Sequence, residues 1–285
     1  MRKIIVFILL NFSILWAHNF DSPVAGAMGT AYASIGSGVE AVCYNPASVA
    51  YSSDFQLYSS FVNKYHIANY YSFLSIVRLS KFEILKLVPS FYYVYENGGG
   101  ILEKHFMNFT IGNVVFQKYY LGIDVNYSFF KIGKLAENSE GIQSFDKKFE
   151  ADFGVLISLI DNLKIGLVLN HFLSFNDSFQ VINSPKEITL GSSYYIDGVG
   201  GISLDISAES KHNFYKEDKF NYTFLTPKLG IEKSLGFLNM VVRAGLNGLF
   251  NPTFGAGFKY GKIAIDYAFL YKLNGSHSLA LTYTF

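Results

Sequence analysis

The sequence predicts an all-β fold, a transmembrane up-and-down β-barrel of about fourteen antiparallel strands, and three observations carry that expectation. The 285-residue chain is 50% hydrophobic and 18% aromatic, yet only 16% charged. Its apolar residues recur at every second position instead of gathering into long runs. Short and long connections alternate between the apolar segments.

Composition excludes several classes. Disorder requires low hydrophobicity and high net charge, and this chain carries +1 at neutral pH. A helical membrane protein needs roughly 18 consecutive apolar residues per span, and no internal run approaches that length. Near-neutrality also argues against nucleic acid as a partner, which would favour a basic face. Cys43 is the single cysteine, so no intrachain disulfide and no multi-cysteine metal site can form.

The elements follow in order. Residues 1–17 read as a secretory signal peptide: Arg2 and Lys3 are the positive start, Ile4–Trp16 the apolar stretch, and Ala17 a small residue at the cleavage position. The stretch is too short to span a bilayer, although an uncleaved anchor is the alternative reading. Beyond residue 53 the period is two. Candidate strands are Phe55–Val62, Tyr70–Leu79, Glu83–Tyr95, His105–Phe116, Tyr119–Lys131, Phe149–Ser158 and Leu163–Leu173. The second half contributes Glu187–Ile196, Val199–Glu209, Leu225–Lys233, Leu238–Leu246, Thr253–Tyr260, Lys262–Leu270 and His277–Phe285. In Leu121–Phe129, for example, Leu121, Ile123, Val125, Tyr127 and Phe129 share one face, opposite Gly122, Asp124, Asn126 and Ser128.

Turn chemistry separates the strands. Asn97-Gly98, Asp197-Gly198, Asn247-Gly248 and Asn274-Gly275 favour the positive φ angles of tight turns. The connections at Ser80–Phe82, Gln117–Lys118, Asp197–Gly198 and Gly261 are short. Those spanning Ile132–Lys148, Ser174–Lys186 and Ser210–Phe224 are long and largely polar. An outer-membrane barrel has this asymmetry, with short turns on the periplasmic side and long loops outside. It also explains the composition. Only one face of each strand meets lipid, which dilutes mean hydropathy to +0.23, and aromatic girdles raise Tyr and Phe. A soluble barrel or sandwich, the alternative, would turn the same apolar face inward.

Polar residues inside the strands should then face the lumen, because Arg or Lys facing lipid costs ~2–4 kcal/mol at the midplane. The set is Asp124, Asn126, Asp152, Asp205, Glu232, Arg243, Lys259 and Asp266. Such charges are expected to pair with one another. The sequence carries no Ser-nucleophile elbow, no paired-His zinc helix and no P-loop ending after Asn97-Gly98-Gly99-Gly100. No catalytic residue, metal site or cofactor is therefore expected, and the chain does not read as an enzyme.

Residues 24–50 hold a Gly/Ala-rich stretch leading into Asn45-Pro46-Ala47. This resembles the N-terminal segment of the FadL-type outer-membrane transporter family and its PorV/PorQ relatives. Asp152-Phe153-Gly154, Asn162-Leu163-Lys164-Ile165-Gly166, Arg243-Ala244-Gly245, Phe254-Gly255-Ala256-Gly257 and Ile265-Asp266-Tyr267 resemble PorV/PorQ proteins. The resemblance implies a barrel over residues 53–285, with residues 18–52 as a plug or hatch in its lumen and Asn45, Pro46 and Ala47 as its motif. A segment that merely caps the barrel end is the other reading. Terminal Phe285 resembles the signal read by the barrel-assembly machinery. The implied location is the outer membrane of a Gram-negative-type bacterium. The implied partners are outer-membrane lipid, that machinery, and either a hydrophobic small-molecule ligand or secreted proteins. Transport of hydrophobic small molecules and a docking role in secretion or surface attachment are the two functional expectations.

Overall fold

A computed structural model describes residues 22–51, 55–64, 68–76, 87–97, 102–132, 145–176, 186–210, 222–271 and 275–285. The signal-peptide expectation, Gly98–Gly100, Ser80–Phe82 and most of the three long connections lie outside the described residues.

Two short helices, α1 (Pro23–Ala27) and α2 (Ser48–Tyr51), flank a 3₁₀ turn at Val39–Cys43. The strands then follow: β1 (Gln56–Lys64), β2 (Ala68–Ile76), β3 (Leu87–Asn97), β4 (Leu102–Phe116), β5 (Tyr119–Ile132), β6 (Phe145–Ile160) and β7 (Leu163–Asn176). The second half is β8 (Glu187–Ile196), β9 (Gly200–Ser210), β10 (Tyr222–Leu235), β11 (Met240–Asn247), β12 (Pro252–Tyr260), β13 (Ile263–Leu270) and β14 (Ser276–Thr284). Each pairs antiparallel with its chain neighbours, and β1 pairs with β14, so the fourteen strands close a barrel. Closure removes every sheet edge, which a strand structure in lipid requires.

All fourteen strands coincide with the period-two segments. They differ mainly at one end: β6 begins at Phe145, β7 runs to Asn176 and β10 begins at Tyr222, inside stretches that read as loop. There the apolar–polar alternation that marks a strand fades while the ladder continues.

The pleat sorts the side chains. On β5, Ile123 and Tyr127 are exposed, while Asp124, Asn126 and Ser128 are buried. On β14, Leu279, Leu281 and Tyr283 are exposed, while Ser278 and Ala280 are buried. The outside is greasy and the inside is polar or small, the reverse of a soluble core.

The turns at Gln117–Lys118, Asp161–Asn162 and Gly261–Lys262 join strands at one end of the barrel. Gly198 (φ 71°) lies in a turn at this end, and Gly248 (φ 70°) in one at the other, both in the left-handed region that glycine tolerates. The chain enters β1 from the short-turn end, where Gln56 lies opposite Thr284.

Residues 22–51 touch strands all round the barrel: α1 packs on β11 to β14, α2 on β3 to β5, and the 3₁₀ turn on β1 and β2. Such contacts place the segment against the inward faces of the wall.

Candidate functional site

The inner wall and the N-terminal segment meet through glycine. A Cβ on Gly122 would collide with the backbone of Pro46 and Ala47, and one on Gly154 with the Asn45 side chain. Gly166 faces the Ala33 carbonyl, Gly230 faces Met28 and Gly245 faces Gly29 in the same way. Gly122 sits opposite Gly154, and Gly230 opposite Gly245, so the clearances line up across neighbouring strands. Glycine weakens a strand interior and commonly marks close approach of another backbone. Here the belt brings the segment within backbone contact of the wall.

Hydrogen bonds complete the fit. Asn45 is fully buried. Its amide donates to the Ala33 carbonyl at 2.6 Å and to the Val155 carbonyl of β6 at 3.1 Å. Its oxygen accepts from the Ala47 N–H at 3.0 Å, closing an Asx turn around Pro46. The Asn45-Pro46-Ala47 motif thus ties two parts of the segment to each other and to β6. On β9, Asp205 accepts the Ala33 N–H at 2.8 Å. On β12, the Thr253 hydroxyl accepts from the Gly29 N–H at 3.1 Å and donates to the Ala27 carbonyl at 3.0 Å. On β11, the Asn247 amide donates to the Thr30 hydroxyl at 3.1 Å.

Six of the eight predicted polar residues fall into two groups, with Asp205 and Lys259 outside them. Arg243 donates from Nε to Glu232 at 2.6 Å and from Nη1 to Asp266 at 2.7 Å. Glu232 is its direct cross-strand partner, but Asp266 lies on β13, one strand further on. Arg243 reaches it across β12 because Gly257 leaves the space; a Cβ there would collide with Asp266 and crowd the guanidinium. The segment brings Glu40 near this cluster. Glu40 is buried and accepts the Tyr32 hydroxyl at 2.9 Å. Burial pushes its carboxyl up to about 7, with Asp266 adding to the rise and Arg243 opposing it.

Asp124, Asn126 and Asp152 form the second group. Asn126 donates to Asp124 at 3.0 Å and to Asp152 at 2.9 Å, and accepts from Asn108. Asp152 also accepts the His171 N–H. His171 Nδ1 lies 2.9 Å from Glu150, which pairs with Lys148 at 2.7 Å. Lys259 shares the face of Thr253 and Gly257 but stands exposed near the short-turn end, apart from both groups. Phe285 is exposed, packs on Phe55 at 4.5 Å and donates its N–H to the Phe55 carbonyl.

Sequence reasoning missed several members. Lys148 closed the expected loop, whereas Glu150 fell inside the expected strand Phe149–Ser158, on the face of Asp152, and was not singled out. His171 is hidden by a bulge: the β6–β7 register shifts between Ala151 and Phe153, and His171 adopts φ 56°. Glu40 and Tyr32 lie in the irregular segment, where no periodicity assigns a face. Among the described residues, no group of three or more His, Cys, Asp or Glu could hold a metal ion.

No protein-family model and no curated relative matches the sequence. Solved structures do match in fold. The toluene transporter TbuX of Ralstonia pickettii superposes with a TM-score of 0.62 at 13% identity, covering 95% of this chain and all of that one. The deltaS2 mutant of the TodX monoaromatic hydrocarbon channel gives 0.66 at 12% identity, over 93% and 98% of the two chains. A Pseudomonas aeruginosa FadL homologue gives 0.58 at 10% identity, over 91% and 97%. The chain shares the barrel fold of these three proteins. At these identities the likeness is one of fold, and the residues of the inner wall carry the rest of the argument.

Proposed function

We propose that this chain is a Gram-negative outer-membrane barrel that passes hydrophobic small molecules, with residues 18–52 acting as its plug. The observation that carries the reading is the fitted N-terminal segment. A wall of glycines and hydrogen-bonding side chains holds it inside a barrel whose described outward-facing side chains are largely apolar. The fold shared with hydrocarbon and toluene transporters supports the choice of cargo class. The solved structures that share the fold include a hydrocarbon channel and a toluene transporter, which supports a passage as the role. The PorV/PorQ likeness of the strand motifs points to a docking role instead, but its long loops lie largely outside the described residues and no contact here favours it.

The test is flux of toluene into vesicles reconstituted with the full chain. Toluene should enter faster than into protein-free vesicles; equal rates overturn the reading. Deleting residues 18–50 should change the rate, and an unchanged rate removes the plug role. Because that deletion can prevent folding, a second variant is needed. Thr30→Cys with Asn247→Cys, in a Cys43→Ser background, joins side chains that already touch at 3.1 Å. Oxidation should lower flux and dithiothreitol should restore it.

A further inference from the structure

One small arrangement of rings is built twice on the outer face of the wall. On β3 and β4, the Tyr93 hydroxyl meets His105 Nδ1 at 2.7 Å, with ring centroids 6.1 Å apart. Tyr95, directly opposite His105, lies 5.1 Å from it. On β13 and β14, the Tyr267 hydroxyl meets His277 Nδ1 at 2.7 Å, again with centroids 6.1 Å apart. Phe269, directly opposite His277, lies 5.1 Å from it. Both histidines share the outward parity of exposed neighbours, Met107 on β4 and Leu279 on β14. A phenol on a lipid face has few partners, and the imidazole one pleat nearer the long-loop end gives it one.

The two units differ in what stands beside them. Along its outer face β4 passes from apolar to ionic: Ile111, Phe109 and Met107 are exposed, then comes His105, then Glu103. On β5, Phe129 lies directly opposite His105 and stacks on it at 4.3 Å, and Lys131 lies directly opposite Glu103. Lys131 Nζ is 3.9 Å from Glu103, and the two side chains are 52% and 36% exposed. A pair so long and so open is weak, which leaves both ends able to take other partners. Phe116 closes β4 at the short-turn end. A rise of ~3.3 Å per residue at a tilt of roughly 45° carries His105 about 25 Å above it, the height of the apolar band of such a barrel. His105 therefore stands where hydrocarbon gives way to headgroups. Among the described residues the Tyr93 hydroxyl has no partner but His105, so it donates to Nδ1 and the ring proton sits on Nε2. That N–H bonds to no described residue and is open to a ligand outside the wall. Among the described residues, no charged side chain adjoins His277 on this face.

We propose that His105, Lys131 and Glu103 form a binding site for the headgroup of phosphatidylethanolamine. The phosphate accepts from His105 Nε2 and from Lys131 Nζ, the ammonium donates to the Glu103 carboxylate, and the acyl chains lie over Met107 and Phe109. One cation, one anion and one neutral donor match a zwitterionic head. They do not match an anionic head, which Glu103 repels, or a trimethylammonium, which has no N–H to give. The β13–β14 unit, without the ions, selects no headgroup. The site belongs to the lipid face and does not depend on what crosses the lumen.

The test reads lipid choice beside the site. The only tryptophan in the chain is Trp16, so Met107→Trp in a Trp16→Phe background is a single reporter. Leu279→Trp in the same background reports on the β13–β14 unit. Each is reconstituted in brominated phosphatidylcholine mixed with unbrominated phosphatidylethanolamine, phosphatidylcholine or phosphatidylglycerol. Phosphatidylethanolamine should protect Met107→Trp from quenching with a roughly two- to fivefold preference over the other two, the range of an exposed ion pair. At Leu279→Trp the three lipids should protect equally. Lys131→Met and Glu103→Gln should each remove the preference, with the heat-modifiable band of the folded barrel intact, and Lys131→Arg should keep it. Three outcomes overturn the site: no preference at Met107→Trp, the same preference at both reporters, or a preference that survives both charge-removing variants. Stronger protection by phosphatidylglycerol also overturns it, because the face would then select negative charge alone.

Discussion

The carboxylate of Asp205 on β9 accepts the backbone N–H of Ala33 at 2.8 Å, across 172 residues of chain. The bond fixes the middle of the N-terminal segment to β9. Asp205→Ala leaves a buried N–H without an acceptor, which costs about 1–3 kcal/mol. The segment should become accessible to protease at lower urea in the variant. Asp205→Asn, which keeps an acceptor oxygen, should recover most of the protection.

The glycine belt makes a steric prediction. Gly122→Ala and Gly154→Ala each place a methyl where the Asn45–Ala47 backbone or side chain already lies. Overpacking of this kind costs typically 1–3 kcal/mol. The strands themselves should tolerate alanine, so the barrel should still run as a folded, heat-modifiable band while the segment loses protease protection. A variant that instead keeps a fully protected segment would contradict the close fit.

Arg243 is the only cation bonded to Glu232 and Asp266 among the described residues. Removing it as Arg243→Met strands the buried Asp266 carboxylate and the part-buried Glu232, and breaking a buried pair costs about 3–5 kcal/mol. Thermal unfolding should drop accordingly. The triple variant Arg243→Met, Glu232→Gln, Asp266→Asn should recover most of the loss, because no unpaired charge remains. A triple variant no better than the single one would show that packing, not charge, is responsible.

Glu40 predicts a pH dependence. Its carboxyl rises from an ordinary 4.5 to about 7 when the segment is seated. Between those values the seated form binds more protons than the released form, so seating weakens as pH rises. The contribution is complete below about pH 4.5 and is lost through about pH 7, amounting to ~3 kcal/mol. Protease release of the segment should therefore increase from pH 5 to pH 8.5. Glu40→Gln should flatten that profile and stay protected at high pH.

The strands were legible because lipid on one side and polar contacts on the other impose a strict period of two. The rule also placed Asp124, Asn126, Asp205 and Arg243 on one face. It failed where that two-sided constraint ends. Lys148 stands on a stretch of β6 that continues into the expected loop, where polar residues suit either face. His171 lies inside a bulge of β7, between Leu169 and Leu173, with φ 56°, and composition does not encode a bulge. In the segment, Ala25 to Ala33 announced close packing through their size, but not which glycines would receive them. Asn45 stands in a short sequence motif, but its bond to Val155 is visible only in the fold.

The glycine belt has a consequence for how such proteins diverge. A methyl on the wall and an atom of the segment cannot share one place, so the two must drift as a matched set, like a key and the wards of its lock. Barrels of the same architecture but only 12% identity are locks cut separately. A chimera carrying another barrel's N-terminal segment should close its strands and still leave that segment unseated, since the bore accepts the shape it was cut for and not the general form of a plug.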